Sequence, residues 1–228
     1  MGGWGGFLLA LAAFFASHMI PSRPALRGRL VARLGRAGYG AAYGAVSVLA
    51  LAWVIIAAGQ APVVPLWDQA PWQRWLVNGA MAVAVALASF GLGAVNPFSF
   101  GGRTDGFVPD HPGIAGVTRH PLLWALLIWA AAHLLVNGDL AHVLVFGPFA
   151  AFAALGMALI DRRNRRNWGE DEWRRLSAHT AILPLAALIT GRWHPARGPS
   201  LIRLGGALMV WAGLLHLHPV VIGVSPLP

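Results

Sequence analysis

Nine histidines are the residues of this sequence best suited to chemistry in an apolar environment. His18 ends the apolar run Phe14-Phe15-Ala16-Ser17-His18, and His133 lies inside another run over residues 124–134. Burying an ionisable side chain among apolar residues costs free energy, so such a position predicts a function. Two neutral imidazoles from different helices are typical ligands of a non-covalent b-type haem. His18 and His133 are therefore candidate axial ligands, and hydrogen bonding to a neighbouring helix is the alternative for each.

The residue types that the sequence lacks exclude several reaction mechanisms and metal ligands. The chain has no cysteine, so it cannot form a disulfide, ligate a metal through a thiolate, attach haem covalently or use a cysteine nucleophile. All seventeen basic residues are arginines, which excludes Schiff-base and lysine general-base mechanisms. Any metal must therefore be held by histidine, methionine or carboxylate.

A second polar group, Thr118-Arg119-His120, comes directly before Pro121. Proline is favoured in the first turn of a helix, so a helix is predicted to begin here. Arginine at a helix N-terminus opposes the helix dipole, which favours an anion between Arg119, His120 and the free backbone N–H groups. A carboxylate, a haem propionate or a phosphate would serve, and anchoring at a lipid headgroup is the alternative. We predict Arg119 and His120 as cofactor-binding residues.

The chain that carries these residues is too apolar for an ordinary soluble domain. It is 57% hydrophobic and 11% charged, with a mean hydropathy of +0.61, which excludes disorder. A membrane span needs about 20 mainly apolar residues. Residues 181–190 are too few to cross and are predicted to be interfacial or re-entrant. The remaining pattern predicts an all-α bundle, one membrane domain over residues 1–228, with six spans near residues 3–20, 38–59, 75–95, 121–136, 140–160 and 200–224.

The arginines predict the orientation of these spans. Five of them separate the first two spans and nine separate the last two, whereas the loops at 59–74 and 137–139 hold one between them. Basic loops stay in the cytoplasm, so we place the N-terminus outside a bacterial inner membrane. Anionic lipid is the expected neighbour of the +9 charge, and a nucleic acid is not, because the charge lies beside apolar spans.

Three stretches of the sequence resemble the NnrU family, and the likeness covers nearly the whole chain. They are Ser17-His18 with Pro21-Ser22-Arg23, Gly116-Val117-Thr118-Arg119-His120-Pro121, and Ala132-His133 through Asn137-Gly138-Asp139. That family is named for its association with denitrification genes. It is similar to the zeta-carotene isomerase of plants and cyanobacteria, an integral membrane b-haem enzyme. The resemblance implies that His18 and His133 ligate the haem.

The resemblance also implies an activity and one difference. In the plant enzyme, reduction of the iron is thought to free a ligand position that contacts a polyene and eases rotation about a cis double bond. A cysteine three residues before the second ligand is implicated in that ligand exchange, and Ala130 stands here. A role in nitric oxide or nitrite metabolism, or electron transfer to a redox partner, is equally compatible with the family.

Three alternatives stay open at this level. His133 lies about 18 Å along its helix from Pro121, whereas His18 is expected near the cytoplasmic face, so His120 is a second candidate partner for His18. A membrane methyltransferase that uses S-adenosylmethionine also carries Arg-His-Pro before a helix and an acidic-aromatic stretch, as in Glu172-Trp173. A non-catalytic assembly factor that merely holds haem is the third.

Overall fold

The computed structural model describes residues 3–21 and 23–228. Every helix in these residues is an α-helix, and they contain no β-strand. The prediction of an all-α chain is therefore confirmed. Prolines open several of these helices, because Pro24, Pro71 and Pro121 each stand in a first turn. In chain order the helices are α1 (Trp4–Met19), α2 (Pro24–Gly59), α3 (Pro71–Gly91), α4 (Ile114–Val117), α5 (Pro121–Val136), α6 (Leu140–Trp168), α7 (Glu170–Ser177), α8 (Ala186–Ile189) and α9 (Leu201–Val221).

Four of these helices, α2, α3, α6 and α9, are long and apolar enough to cross a membrane. α1 and α5 are apolar but have 16 residues each, about 24 Å at 1.5 Å per residue, against a hydrocarbon layer of about 30 Å. Large apolar side chains such as Leu49, Leu155 and Met209 are more than 60% exposed on these helices, as lipid-facing side chains are. The chain is a multi-pass membrane protein with a helical bundle fold.

Each of the six predicted spans coincides with a helix, but two helices extend further than predicted. α2 includes the basic segment and contains a non-helical residue, Gly35, with φ of 71°. α6 continues past Ile160 through the arginine-rich segment and ends before Gly169, which has φ of 81°. Arginine is a good helix former, so a helix that leaves the apolar layer has no reason to end before a glycine allows the chain to turn.

The described residues form two compact units. The first contains the described residues up to Asp68 together with Gly138–Val145, and the second contains Gln69–Asn137 and Phe146–Pro228. In the first unit α1 packs on α2 and buries Phe7, Ala10 and Phe14. The prediction that residues 1–228 form one domain stays a prediction.

In the second unit, α5 packs on α6 around Leu123, Ala153 and Met157, which are all buried. Gly156 of α6 faces the Leu123 side chain, at a distance where even a Cβ would make only an ordinary contact of 3.6 Å. The packing places the start of α5 beside the middle of α6, and the polar residues at these two places therefore meet.

The apolar segment at 181–190 contains only the four-residue helix α8, which is too short to cross a membrane, as predicted. The segment is bound to the residues before α5. Arg119 N donates to the Ala181 carbonyl at 2.8 Å, and Leu185 N donates to the Val117 carbonyl at 2.8 Å. These bonds attach it to the N-terminal end of α5.

Candidate functional site

His18 lies in the last turn of α1, within the first unit. Its Nδ1 lies 2.8 Å from the Phe14 carbonyl oxygen, one turn back along the helix. A carbonyl can only accept, so Nδ1 carries the proton and the neutral ring has its lone pair on Nε2. The Phe14 ring lies 4.1 Å from the imidazole and the Tyr43 ring 5.6 Å, both centroid to centroid. The imidazole is therefore oriented by its own helix and packed between aromatic rings.

His133 lies in the last turn of α5, within the second unit, and repeats the same local arrangement. Its Nδ1 donates to the Trp129 carbonyl at 2.8 Å, which again leaves the lone pair of the neutral ring on Nε2. The rings of Trp129 and Phe146 lie 5.5 and 5.2 Å from the imidazole. Asn137 ends the helix by donating its side-chain amide to the His133 carbonyl at 2.8 Å.

These two arrangements fit imidazoles that ligate a haem iron through Nε2. In metal sites, a ligating histidine almost always donates its other ring nitrogen to a carbonyl or carboxylate, which sets the tautomer and the ring orientation. Both candidates have that partner and apolar neighbours. The described residues contain no group of three or more His, Asp or Glu that could hold a metal ion.

Arg119 and His120 meet a residue that the sequence reasoning passed over, Asp161 of α6. Arg119 donates Nε and Nη2 to Asp161 Oδ2 at 3.0 and 2.7 Å, and His120 donates Nε2 to Oδ1 at 2.8 Å. His120 is 0% exposed and Asp161 is 7% exposed. The anion expected beside these two residues is thus a carboxylate of the same chain, and it already neutralises the arginine.

The residues before α8 complete this cluster. Thr180, which is fully buried, accepts from Arg119 Nη1 at 3.1 Å. The Ile182 carbonyl accepts from the Thr118 hydroxyl at 2.7 Å and from the Trp124 indole at 2.8 Å. The segment at 180–182 therefore packs against the cluster and provides acceptors for its donors.

Two aromatic rings lie beside the Arg119 guanidinium, and two asparagines bond the main chain of Arg119 and Phe98. The guanidinium carbon lies 5.3 Å from the centre of the Trp173 ring and 5.9 Å from that of Phe98, close enough for cation–π attraction. Asn96 donates to the Arg119 carbonyl at 2.9 Å, and Asn164 donates to the Phe98 carbonyl at 3.2 Å. A buried network that joins residues from several elements in this way is typical of a site that holds helices in position.

One atom of the cluster has no hydrogen-bond partner in the described part of the chain, and that atom is the buried Nδ1 of His120. The sequence could have indicated Asp161 as a partner, because it is the only acidic residue in the long apolar stretch of α6, where an unpaired carboxylate would be costly. No sequence signal indicated Asn96, Asn164 or Thr180.

Three of the other histidines have polar partners of their own. His142, in the first turn of α6, pairs at 2.5 Å with Asp139, which directly precedes that helix. His179 Nε2 lies 3.5 Å from Asp110, and His218 donates Nδ1 to the Val224 carbonyl at 2.7 Å.

The fold and these sites define a multi-pass helical membrane protein that carries imidazoles on separate helices and a buried arginine–carboxylate–histidine cluster. Residues 6–226 match the profile of the NnrU protein family, and the chain belongs to that family. It is 31% identical over 80 residues to the chloroplastic 15-cis-zeta-carotene isomerase of Arabidopsis thaliana, a match that covers 35% of this chain and 22% of that relative's length. No solved structure matches the chain.

Proposed function

We propose that this protein is an integral membrane b-type haem protein with His18 and His133 as ligands. Its proposed activity is the redox-linked cis–trans isomerisation of a hydrophobic polyene. The proposal is supported by membership of the NnrU family and by similarity to an enzyme named 15-cis-zeta-carotene isomerase. The observation that carries it is that each imidazole, within its own unit, donates Nδ1 to the carbonyl one helical turn back and packs beside aromatic rings.

In this proposal the chain orients each ring and keeps water from it. The bonds from Nδ1 to the carbonyls of Phe14 and Trp129 set the tautomer that offers Nε2 to a metal. Aromatic neighbours provide the apolar surroundings that a porphyrin and a polyene both need. When bound, a haem supplies an iron whose affinity for a further ligand or a double bond changes with its oxidation state.

Arg119 and His120 take a different part in this proposal from the one that the sequence suggested. Asp161 accepts from Arg119 Nε and Nη2 and from His120 Nε2, and its carboxylate neutralises the guanidinium charge, so we do not assign either residue to a haem propionate. The same pairing removes the feature that suggested a carboxylate of S-adenosylmethionine beside Arg119. We assign both residues to the internal cluster.

Ala130 lies one helical turn before His133 and is fully buried. An alanine has no atom that could ligate a metal, so in our proposal His18 and His133 alone would hold a bound haem. A spectrum that shows both imidazoles as ligands in the oxidised and in the reduced protein would favour electron transfer to a redox partner.

Absorption spectra of the detergent-purified protein test the ligand pair. We expect a Soret band that sharpens with dithionite, and its loss or shift in both His18→Gly and His133→Gly, with partial recovery on adding imidazole. His216→Gly is the matched control, since His216 is an exposed histidine on α9. A colourless wild-type protein after expression with ample haem contradicts the proposal.

The activity is tested by incubating haem-loaded protein with a 15-cis polyene, with and without dithionite, and separating the isomers by chromatography. We expect trans product only after reduction and none in the His18→Gly variant. Binding of nitric oxide to the reduced protein without any isomer formation would favour a role in denitrification instead.

We also propose a bacterial inner membrane location with the N-terminus outside. The absence of native cysteine makes single-cysteine labelling simple. A cysteine at Asp139 is expected to react with an impermeant maleimide added to intact spheroplasts, and one at Arg163 only after lysis. The reverse pattern would invert the orientation.

A further inference from the structure

A cavity of about 1020 Å³ lies in the second unit, where α3 ends and α9 begins. Its walls are largely apolar and include Phe90, Phe107, Val117, Leu188 and Trp193. Trp193 is a fixed part of the wall, because its indole lies so close to Gly116 that a Cβ there would be 2.5 Å away. Arg119, His120 and Asp161 do not line this cavity, so it is separate from their cluster.

The basic residues around this cavity have no acidic counterpart among the lining residues. Arg103, Arg197 and Arg203 line it together with His111 and His194, and the lining set contains no aspartate or glutamate. The nearest acids along the chain, Asp105 and Asp110, are not part of the lining. Three exposed arginines at one largely apolar space, with no carboxylate in its lining, offer a site for an anion.

Two of these arginines are held in place by backbone contacts. The backbone of Arg103 donates to the Ala94 carbonyl at 2.7 Å and accepts from Asn96 N at 2.8 Å. The Arg203 side chain donates Nη1 to the carbonyls of Ser89 and Phe90, each at 3.2 Å. A guanidinium has five N–H donors in a fixed fork, so Arg203 has further donors to offer after both bonds.

The position and size of the cavity indicate what kind of anion it would take. It lies at the ends of α3 and α9, two helices long enough to cross a membrane, where lipid headgroups meet the hydrocarbon layer. A water molecule occupies about 30 Å³, so a free phosphate would fill only a small part of the space. The volume is at the upper end of the range for ligand pockets, about 300–1000 Å³.

We propose that this cavity binds a phosphate group joined to an apolar chain. The guanidinium groups of Arg103, Arg197 and Arg203 bind the phosphate oxygens, because arginine matches phosphate geometry with paired N–H donors. The apolar walls around Leu188 and Trp193 take the first part of the chain. The phosphate has two sources, a membrane phospholipid or a single-chain phosphate from the cytoplasm.

The test uses the whole chain as it is purified, and two variants that lose the same charge. Arg103→Gln/Arg197→Gln removes two lining guanidinium groups, and Arg162→Gln/Arg163→Gln removes two exposed arginines of α6 that lie outside the cavity. Arg203 is left intact because it also binds α3. The probes are hexadecyl phosphate and inorganic phosphate in a non-ionic detergent, and phosphatidylglycerol or phosphatidylcholine nanodiscs examined by native mass spectrometry.

We expect saturable binding of hexadecyl phosphate, or retention of phosphatidylglycerol over phosphatidylcholine, and the stronger of the two identifies the source. The Arg103→Gln/Arg197→Gln variant should bind roughly tenfold more weakly or worse, as expected for losing charged hydrogen bonds. The Arg162→Gln/Arg163→Gln variant should bind as the wild type does. Inorganic phosphate alone should bind much more weakly than the amphiphile.

A third variant tests the apolar wall independently of charge. Leu188→Trp fills part of the cavity and should weaken hexadecyl phosphate more than a short butyl phosphate. Equal weakening in both arginine variants would reduce the effect to bulk charge and overturn the proposal. So would loss of the Soret band in Arg103→Gln/Arg197→Gln, because the cavity would then belong to the haem site. The haem proposal is tested by variants of His18 and His133 instead, so a failure of that proposal can be told apart from a failure of this one.

Discussion

The two ends of α5 use the same residue type in opposite ways. His120 stands just before the helix, fully buried, and donates Nε2 to Asp161. His133 stands in the last turn, half-buried, and donates Nδ1 to its own helix instead. His120 therefore uses Nε2 to bond another helix, whereas in our proposal His133 offers its Nε2 to a metal. The partners of Nδ1 and Nε2 thus commit the His120 imidazole to packing, whereas His133 keeps the tautomer that the proposed haem ligation needs.

Asp161→Ala should have the largest effect on stability. It leaves Arg119 and His120 buried without their carboxylate, and breaking a buried ion pair in this way costs about 3–5 kcal/mol. We expect a marked fall of the unfolding temperature in detergent, followed by light scattering and size-exclusion chromatography. Asp171→Ala, an exposed aspartate of α7, is the control. Equal unfolding temperatures for both variants would show that the cluster contributes nothing.

His120→Ala and His133→Ala should separate the two ends of α5. The first leaves a buried carboxylate oxygen without its donor, a loss of about 1–3 kcal/mol, and should retain the haem spectrum. The second should lose the haem spectrum and change the stability of haem-free protein less. Thermal unfolding and the Soret band, both measured on each variant, check this. Haem loss in His120→Ala alone would make His120 the ligand and reverse the comparison.

Thr180→Val tests the outer part of the cluster with almost no change in shape. Arg119 Nη1 loses its 3.1 Å acceptor, and the threonine hydroxyl no longer donates to the Ser177 carbonyl. An unsatisfied buried donor costs about 1–3 kcal/mol, so the unfolding temperature should fall, by less than in Asp161→Ala. Thr190→Val on the exposed end of α8 is the control and should change little.

An exposed carboxylate offers the weakest contrast with Asp161. The side-chain hydrogen bond from Arg165, supported by one from Arg174, lowers the pKa of Glu170 to about 2. Because this pKa is depressed in the folded protein, the stabilisation is present above pH 4.5 and is lost as the pH falls through about 2. Glu170 and Glu172 are the only glutamates, so ¹³C-glutamate labelling resolves their titration.

In that titration Arg165→Gln should move the midpoint of Glu170 back toward 4.5, the ordinary glutamate value. Little change in the unfolding temperature is expected, since exposed ion pairs contribute little to stability. An unchanged midpoint would mean that Arg165 does not hold Glu170 in solution.

Much of the fold could be predicted because the signals are local. An uncharged run of about 20 residues must form its backbone hydrogen bonds within itself in a bilayer, and α5 begins at Pro121 as the sequence predicts. The helix ends were less predictable. α6 does not end with the predicted span at Ile160 but continues to Trp168, before Gly169, because arginines continue a helix as well as apolar residues do.

The candidate ligands and the motif at Arg119-His120 were also readable, since buried ionisable residues are rare in spans. Their partners were not. Asn96 and Thr180 are ordinary polar residues in loops, and nothing about their spacing shows that Asn96 bonds the Arg119 carbonyl and Thr180 its guanidinium. The basic cavity is similarly assembled from three loop and helix-end arginines whose sequence neighbours differ.

An all-α membrane protein with imidazoles in two apolar helices was thus predictable from the residues, because hydropathy and residue type act over a single turn or span. The tertiary structure alone decided which anion Arg119 and His120 meet. Asp161 lies 42 residues from Arg119 along the chain, and only the packing of α5 on α6 brings the two within hydrogen-bonding distance. Long-range contacts of this kind depend on shape and desolvation, which no local pattern encodes.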